Sequence, residues 1–339
     1  MPERPILIAT RGSALALAQA HAVLDQCRAA FPALRFEIKI LKTTGDKLQT
    51  ASLAKSESLP KGLFTKELEV ALLERRADLA VHSLKDLPTD LPAGLRLGAV
   101  GNRADVREVL VYRDAEFLER RTPHPRADEG SPGHAARRGW KPGLTLEDFP
   151  AGATVATSST RRRAQLLAVR PDLRTVEIRG NVATRLRKLA DQPELDATML
   201  AAAGLQRLRF AITPEGRLRG DAVPEGLLAQ VLEPETMLPC VGQAAVGIEV
   251  READERIAAL CQRLNHYDTL QCVTAERAFL HAMGGGCQSP VAAYAQVMGD
   301  QIRIRGVSFR DGPVRRAELK GPLRDPAGLG ERLAAALQG

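Results

Sequence analysis

Aromatic side chains are scarce: Phe, Trp and Tyr make up 4% of the 339 residues, with a single Trp. A surface that stacks on the bases of single-stranded nucleic acid needs more of them, so that class is disfavoured. The five cysteines, Cys27, Cys240, Cys261, Cys272 and Cys287, are odd in number, widely spaced and form no CxxC pair. That usage argues against a disulfide framework or a zinc site and for a reducing compartment, so a cytoplasmic location is expected. The six histidines are scattered, none at metal-ligand spacing from another His or Cys. No P-loop, no GxGxxG after a strand and no nucleophile elbow occurs. There is no apolar run of membrane-spanning length, and the opening residues MPERPILIAT lack the apolar core of a signal peptide. No membrane partner is expected.

What is present describes a globular chain, with 44% hydrophobic and 26% charged residues and a length that suits two or three domains. The net charge of +7 fits an acidic ligand, nucleic acid or simply an arginine-rich composition. Its distribution is more informative. A buried strand over 6–9 runs through Arg11, Gly12 and Ser13 into an Ala/Leu-rich helix from 14 to 27, with Ser13 as N-cap. A strand entering a helix N-terminus through a glycine turn can hold an anion on its free N–H groups. The pattern returns twice. A strand over 154–158 leads through Ser159 to Arg161 and Arg162, and one over 174–178 leads through Arg179 to a helix bearing Arg185. Arg207 lies near the end of a further helix, 201–209. Cations at a helix N-terminus oppose its dipole at a few tenths to about 1 kcal/mol each. Their recurrence at strand ends points to a polyanionic ligand, which guanidinium forks bind in bidentate fashion.

Other strands are expected at 35–41, 79–84, 95–100, 106–112 and 196–200, and helices at 64–77 and 253–264. Asp86 follows the strand 79–84, a position where open α/β sheets bind ligands. It equally suits a turn before Pro88. The polar, lysine-bearing stretch 43–62 reads as a lid or binding loop, and 119–143, rich in Pro and Arg, as an exposed insertion. After 267 the pattern changes. Asp268 to Gln271 has the form of a capping box opening a helix to Met283, a hairpin turns at Gly299-Asp300, and a third strand and a helix over 326–337 complete a small α+β domain. Between them, Gly284-Gly285-Gly286 leads to Cys287. This is either a helix end before a buried thiol or an open turn presenting a nucleophile.

Six ordered blocks carry a resemblance. They are Arg11 to Ser13, Lys61-Gly62-Leu63-Phe64 with Lys66 to Glu69, Val81-His82-Ser83-Leu84-Lys85-Asp86, Thr157 to Arg162, Arg179-Gly180-Asn181-Val182, and Gly285-Gly286-Cys287-Gln288. Together the chain resembles the porphobilinogen deaminase, or hydroxymethylbilane synthase, family over nearly its whole length outside the insertion. The resemblance implies two α/β domains like those of periplasmic binding proteins plus a small C-terminal α+β domain. The first takes 1–101 with a return segment near 243–264, the second 105–238, and the third 267–339. It implies a transferase that condenses four porphobilinogens head to tail, releases ammonia and frees 1-hydroxymethylbilane by hydrolysis. Cys287 would hold a dipyrromethane cofactor as a thioether, and Asp86 would be the catalytic carboxylate. Lys85, Asp86, Ser159, Arg161, Arg162 and Arg179 would bind the cofactor. Arg11, Ser13, Phe64, Arg179, Arg185, Arg207 and Gln243 would bind substrate. Lys55 and Lys61 would belong to a lid, and the protein would act as a monomer on porphobilinogen, without nucleic acid. Three features depart from the family pattern: a longer 55–61 loop, Ala244 where glycine is usual, and the 119–143 insertion. A two-lobed anion-binding protein without catalysis would share the fold, but would not need Asp86 at a strand end or the Gly-Gly-Cys turn.

Overall fold

The computed structural model describes residues 4–44, 64–121, 137–286, 289–310 and 312–338. They form two compact units, Met1–Val106 with Leu238–Gly339, and Arg107–Met237.

In unit one the chain runs β1 (Ile6–Arg11), α1 (Ala14–Ala30), β2 (Phe36–Leu41), α2 (Lys66–Leu73), β3 (Leu79–Ser83), a 3₁₀ turn (Leu84–Asp86) and β4 (Leu95–Val100). Unit two follows with β5 (Glu108–Arg113), α3 (Ala115–Arg121), β6 (Thr154–Ala156), α4 (Thr160–Val169), β7 (Arg174–Val176), α5 (Val182–Asp191), β8 (Ala197–Ala201), α6 (Ala202–Arg207), β9 (Ala211–Ile212), β10 (Leu218–Arg219) and β11 (Leu227–Leu232). The chain then re-enters unit one as β12 (Val246–Arg251), α7 (Glu255–Leu264), α8 (Tyr267–Ala282), β13 (Val291–Met298), β14 (Gln301–Ser308), β15 (Arg315–Pro322) and α9 (Pro326–Gln338).

The two large sheets have the same topology. Unit one orders its strands β2-β1-β3-β12-β4 and unit two β7-β6-β8-β5-β11. In each, three parallel strands are followed by one antiparallel strand that arrives from a chain crossing, β12 in one and β5 in the other. Short apolar strands buried on both faces explain the parallel part, since crossover helices cover them. In unit one, Ile6 and Ile8 of β1 and Val81 of β3 pack against Val23, Leu24 and Cys27 of α1 and Ile257 and Leu260 of α7. In unit two, Leu110 and Tyr112 of β5 pack with Val155, Leu166 and Met199. The α/β class expected from the sequence is the one observed.

The C-terminal part of unit one is a three-stranded antiparallel sheet, β13-β14-β15, backed by α8 and α9. The hairpin turns at Gly299, at φ +66°, as a two-residue turn requires. Gly330 of α9 lies so close to α8 that a Cβ would overlap the Ala275 carbonyl and the Phe279 amide.

Several expectations need correction. The helix expected over 64–77 is confined to Lys66–Leu73, leaving Phe64 in the turn before it. α8 opens at Tyr267, and its cap is His266, whose Nδ1 accepts from the Thr269 N–H at 3.2 Å. The imidazole replaces the Asp268 capping box. The insertion is not wholly exposed. At its end the Trp140 N–H donates to the Arg113 carbonyl at 2.9 Å. The Trp140 ring meets Phe149 and Tyr112 edge-on at 5.1 and 6.4 Å. Residues 122–136 lie outside the described residues. Strand β11 and the β9–β10 ribbon went unread because 210–237 mixes turn residues with short apolar runs.

Candidate active site

The carboxyl ends of β1 and β3 in unit one open into a small cleft of about 50 Å³. Arg11, Ser13, Phe64, His82, Ser83 and Asp86 are among the residues lining it. Each is placed by local structure. Ser13 caps α1, its Oγ accepting from the Ala16 N–H at 3.3 Å. Arg11, at the last position of β1, stacks its guanidinium 4.2 Å from the centre of the Phe64 ring. Gln19 of α1 ties the end of β3 by donating from Nε2 to Ser83 Oγ at 2.8 Å.

Asp86 ends the 3₁₀ turn that terminates β3. Leu84 anchors this turn in an apolar cluster with Leu87, Val100, Ala245 and Val273. The return segment comes close enough to need glycine. Gly242 sits at φ +69°, and a Cβ there would stand 3.2 Å from Leu84 Cγ; one on Gly247 would stand 2.9 Å from Leu84 Cδ1. Lys85 Nζ donates to Gln243 Oε1 at 3.3 Å, and Gln243 Nε2 donates to the Val106 carbonyl at 2.8 Å. Gln243 was expected to touch substrate. It is fully buried, so its amide orients Lys85 from behind.

Unit two carries the other expected cations. Ser159 Oγ accepts from the Arg162 N–H at 3.3 Å, capping α4. Arg161 and Arg162, expected as charges presented at the turn, are buried on Glu108. Arg161 Nη2 meets Glu108 Oε1 at 2.6 Å, and Arg162 Nη2 and Nε meet Oε2 at 2.6 and 3.0 Å. Arg162 Nη1 also donates to the Met199 carbonyl at 2.8 Å. At the start of α5, exposed Arg179 meets Glu177 at 3.1 Å and Arg185 Nε donates to the Gly180 carbonyl at 2.9 Å. Arg207 on α6 is half-buried, and the loss of hydration pushes its guanidinium down to about 10.

The structure therefore brings Arg11, Ser13, Phe64 and Asp86 into one cleft, pairs Lys85 with Gln243, and gathers Ser159, Arg161 and Arg162 at one helix start. Cys287, Lys55 and Lys61 lie outside the described residues. Sequence reading missed the buried carboxylates. Glu108 opens a strand whose next four residues, Val109 to Tyr112, are apolar or aromatic, which was a legible signal. Glu276 sits within α8 with none.

Comparisons with known proteins place the chain in a family. Residues 6–259 match the family model described as porphobilinogen deaminase, dipyromethane cofactor binding domain, and residues 270–339 match porphobilinogen deaminase, C-terminal domain. The chain belongs to the porphobilinogen deaminase family. It is 43% identical over 342 aligned residues to a porphobilinogen deaminase of Paracoccus denitrificans, covering all of this chain and 95% of that one. It is 40% identical to the corresponding protein of a Roseiflexus species, over 98% of this chain and 95% of that one. Among solved structures, the alignment to the effector-binding domain of BenM covers 84% of this chain and 95% of that one, at 16% identity and a TM-score of 0.40. Membership of the porphobilinogen deaminase family carries with it the transferase activity of tetrapyrrole biosynthesis and the dipyrromethane cofactor, and disfavours a non-catalytic anion binder. The described residues suit that cofactor. Two linked pyrroles present N–H groups and carboxylates, and the cleft offers the Asp86 carboxylate beside the Arg11 guanidinium and the Ser13 hydroxyl.

Proposed function

We propose that the porphobilinogen condensation takes place at the cleft of unit one, with Asp86 as the catalytic carboxylate. The observation that supports this is the assembly of Asp86, Arg11, Ser13 and Phe64 at the carboxyl ends of β1 and β3, the side of an α/β sheet where ligands bind. Porphobilinogen carries an acetate and a propionate, so each added ring brings two negative charges. Arg11 and Ser13 receive carboxylates, Phe64 stacks on a pyrrole face, and Lys85, held by Gln243, stands beside Asp86 as a further cation. Asp86 faces pyrrole N–H groups and stabilises the positive charge that develops on the ring when the amine departs. A negative charge already fixed at the end of β3 requires little reorganisation as the positive charge appears, which is why a carboxylate serves better here than a neutral acceptor.

The dipyrromethane, when bound, primes the chain by supplying the first ring that receives substrate. Cys287 holds it through its sulfur. A thiolate is a soft nucleophile suited to a methylene carbon left electrophilic by loss of ammonia. Ser159 and Arg179 bind cofactor carboxylates, together with Arg161 and Arg162, whose guanidiniums Glu108 holds in place for that contact; Arg185 and Arg207 bind those of added rings, and Lys55 and Lys61 belong to a lid. The enzyme works in the cytoplasm as a monomer, without nucleic acid or membrane partners. Among the described residues no helix is long and apolar enough to cross a membrane.

Intact mass tests the reading directly. The purified chain is expected to carry an adduct of two condensed pyrroles that is lost in Cys287→Ser. Asp86→Asn is expected to retain the adduct and lose most turnover. A chain that neither carries nor acquires the adduct from porphobilinogen overturns the cofactor assignment, and near-normal turnover in Asp86→Asn overturns the role of Asp86.

A further inference from the structure

Behind the wall of the cleft stands a buried acid–base pair that this chemistry leaves unused. His82 is the penultimate residue of β3 and lines the same cleft as Asp86. Its Nε2 lies 3.0 Å from Glu249 Oε2 on the adjacent antiparallel strand β12, with side-chain exposures of 4% and 0%. The second Glu249 oxygen, Oε1, is buried and has no hydrogen-bond partner among the described residues. A third group joins them. Glu69 of α2 is nearly buried, and burial, reinforced by the charge of Glu249, pushes its carboxyl up.

Other groups line the same cleft. The cleft presents Arg11 from the end of β1 and Asp86 from the turn after β3, while α1 contributes the neutral Gln19 and Ser13. Simple cohesion does not account for the set. Two apolar residues would hold β3 to β12 at less cost than a buried carboxylate with one oxygen unmet. An imidazole oriented by a buried carboxylate, with its ring on the wall of a reaction cleft, is instead the arrangement of a general acid and base.

We propose that His82, oriented by Glu249, is a second catalytic residue of this cleft and carries the proton of each condensation cycle. This rests on the reading that Asp86 marks the reaction site. Porphobilinogen binds with its aminomethyl nitrogen neutral. The C–N bond breaks with its electron pair on nitrogen, which takes a proton from the His82 imidazolium and leaves as ammonia. The methylene carbon left behind is cationic and faces Asp86. A C–C bond then forms to the free α-carbon of the waiting ring. That carbon's proton passes to the now neutral imidazole, restoring the imidazolium. One proton is given and one recovered, so no outside acid is consumed.

The experiment compares His82→Gln, Glu249→Gln and Asp86→Asn as full-length holoenzymes, scored by intact mass, turnover and the pH profile of kcat. Glutamine keeps a donor toward Glu249 where Nε2 stands, so His82→Gln should fold and carry the adduct. Turnover should fall at least ten-fold, with the His82 limb of the pH profile gone. Glu249→Gln removes the carboxylate that orients the ring through Nε2, so a loaded Glu249→Gln enzyme should lose at least five-fold in kcat with KM little changed. A loaded His82→Gln enzyme turning over within two-fold of the parent overturns the proposal, as does parental kcat in a loaded Glu249→Gln enzyme. If His82→Gln arrives without the adduct, kcat of the loaded Glu249→Gln enzyme decides alone. Normal turnover in Asp86→Asn removes the underlying reading of the cleft, whereas a slow Asp86→Asn beside a normal His82→Gln removes only His82.

Discussion

Glu276 in unit one and Glu108 in unit two are both fully buried carboxylates held by arginine, yet they occupy different situations. Glu276 ties together three stretches of chain. Arg103 reaches it through Nη1 and Nη2 at 2.6 and 2.9 Å, and the Gly242 and Ala295 N–H groups each donate to it at 2.8 Å. Arg103 also donates from Nε to the Gln243 carbonyl at 2.9 Å. Burial alone would lower the Arg103 guanidinium; the Glu276 carboxylate more than offsets it, and the shift is upward. Glu108 instead meets two guanidiniums on the first turn of α4. There the helix dipole disfavours cations. A local preference set aside in one place marks function more often than cohesion. The first cluster closes a fold, and the second holds two cations where a helix alone would not keep them.

That contrast can be broken by measurement. Glu276→Ala should cost the most, about 5 kcal/mol in urea unfolding, because it strands a buried guanidinium and two backbone donors together. Glu108→Ala should cost less, about 3 kcal/mol, and should mainly reduce the adduct seen by intact mass. Equal losses of stability with normal adduct would remove the distinction. A difference between the units should also appear at high pH. Burial pushes the Cys27, Cys261 and Cys272 thiols up to about 12, 11 and 12 from an ordinary 9.0. All three lie in unit one, and unit two contains no cysteine. A thiol proton held more tightly in the fold stabilises it below the unfolded value and is lost as pH rises through the folded one. Unit one should therefore weaken between about pH 9 and 12, read as amide exchange rising there before it rises in unit two. The smallest effect is expected beside Glu276. Ala244 sits buried at φ +69°, where glycine is unstrained. Ala244→Gly should stabilise by about 0.5 kcal/mol, the relief of left-handed strain less the added chain entropy, as a small upward shift in Tm.

Much of the site was legible because it follows from local rules. The Ser13 and Ser159 caps, the strand ends at Arg11 and Asp86, and the hairpin at Gly299 each depend on a few neighbouring residues. What could not be read were partners distant in sequence. Glu108 meets Arg161 across 53 positions and Glu276 meets Arg103 across 173, and no periodicity reports such a pairing. The same limit hid the burial of Gln243, whose neighbours Lys85 and Val106 come from other elements.

The α/β class, the repeated basic turns and the ordered blocks that point to the family could be read from the chain alone, because each is written in adjacent residues. Which charges line the cleft and which are held on a buried carboxylate was set by three-dimensional packing. Burial and pairing depend on strands that meet after long detours, β12 beside β3 and β5 beside β8. The environment of His82 arises in the same way: it becomes an oriented imidazole only when β12 brings Glu249 to its side.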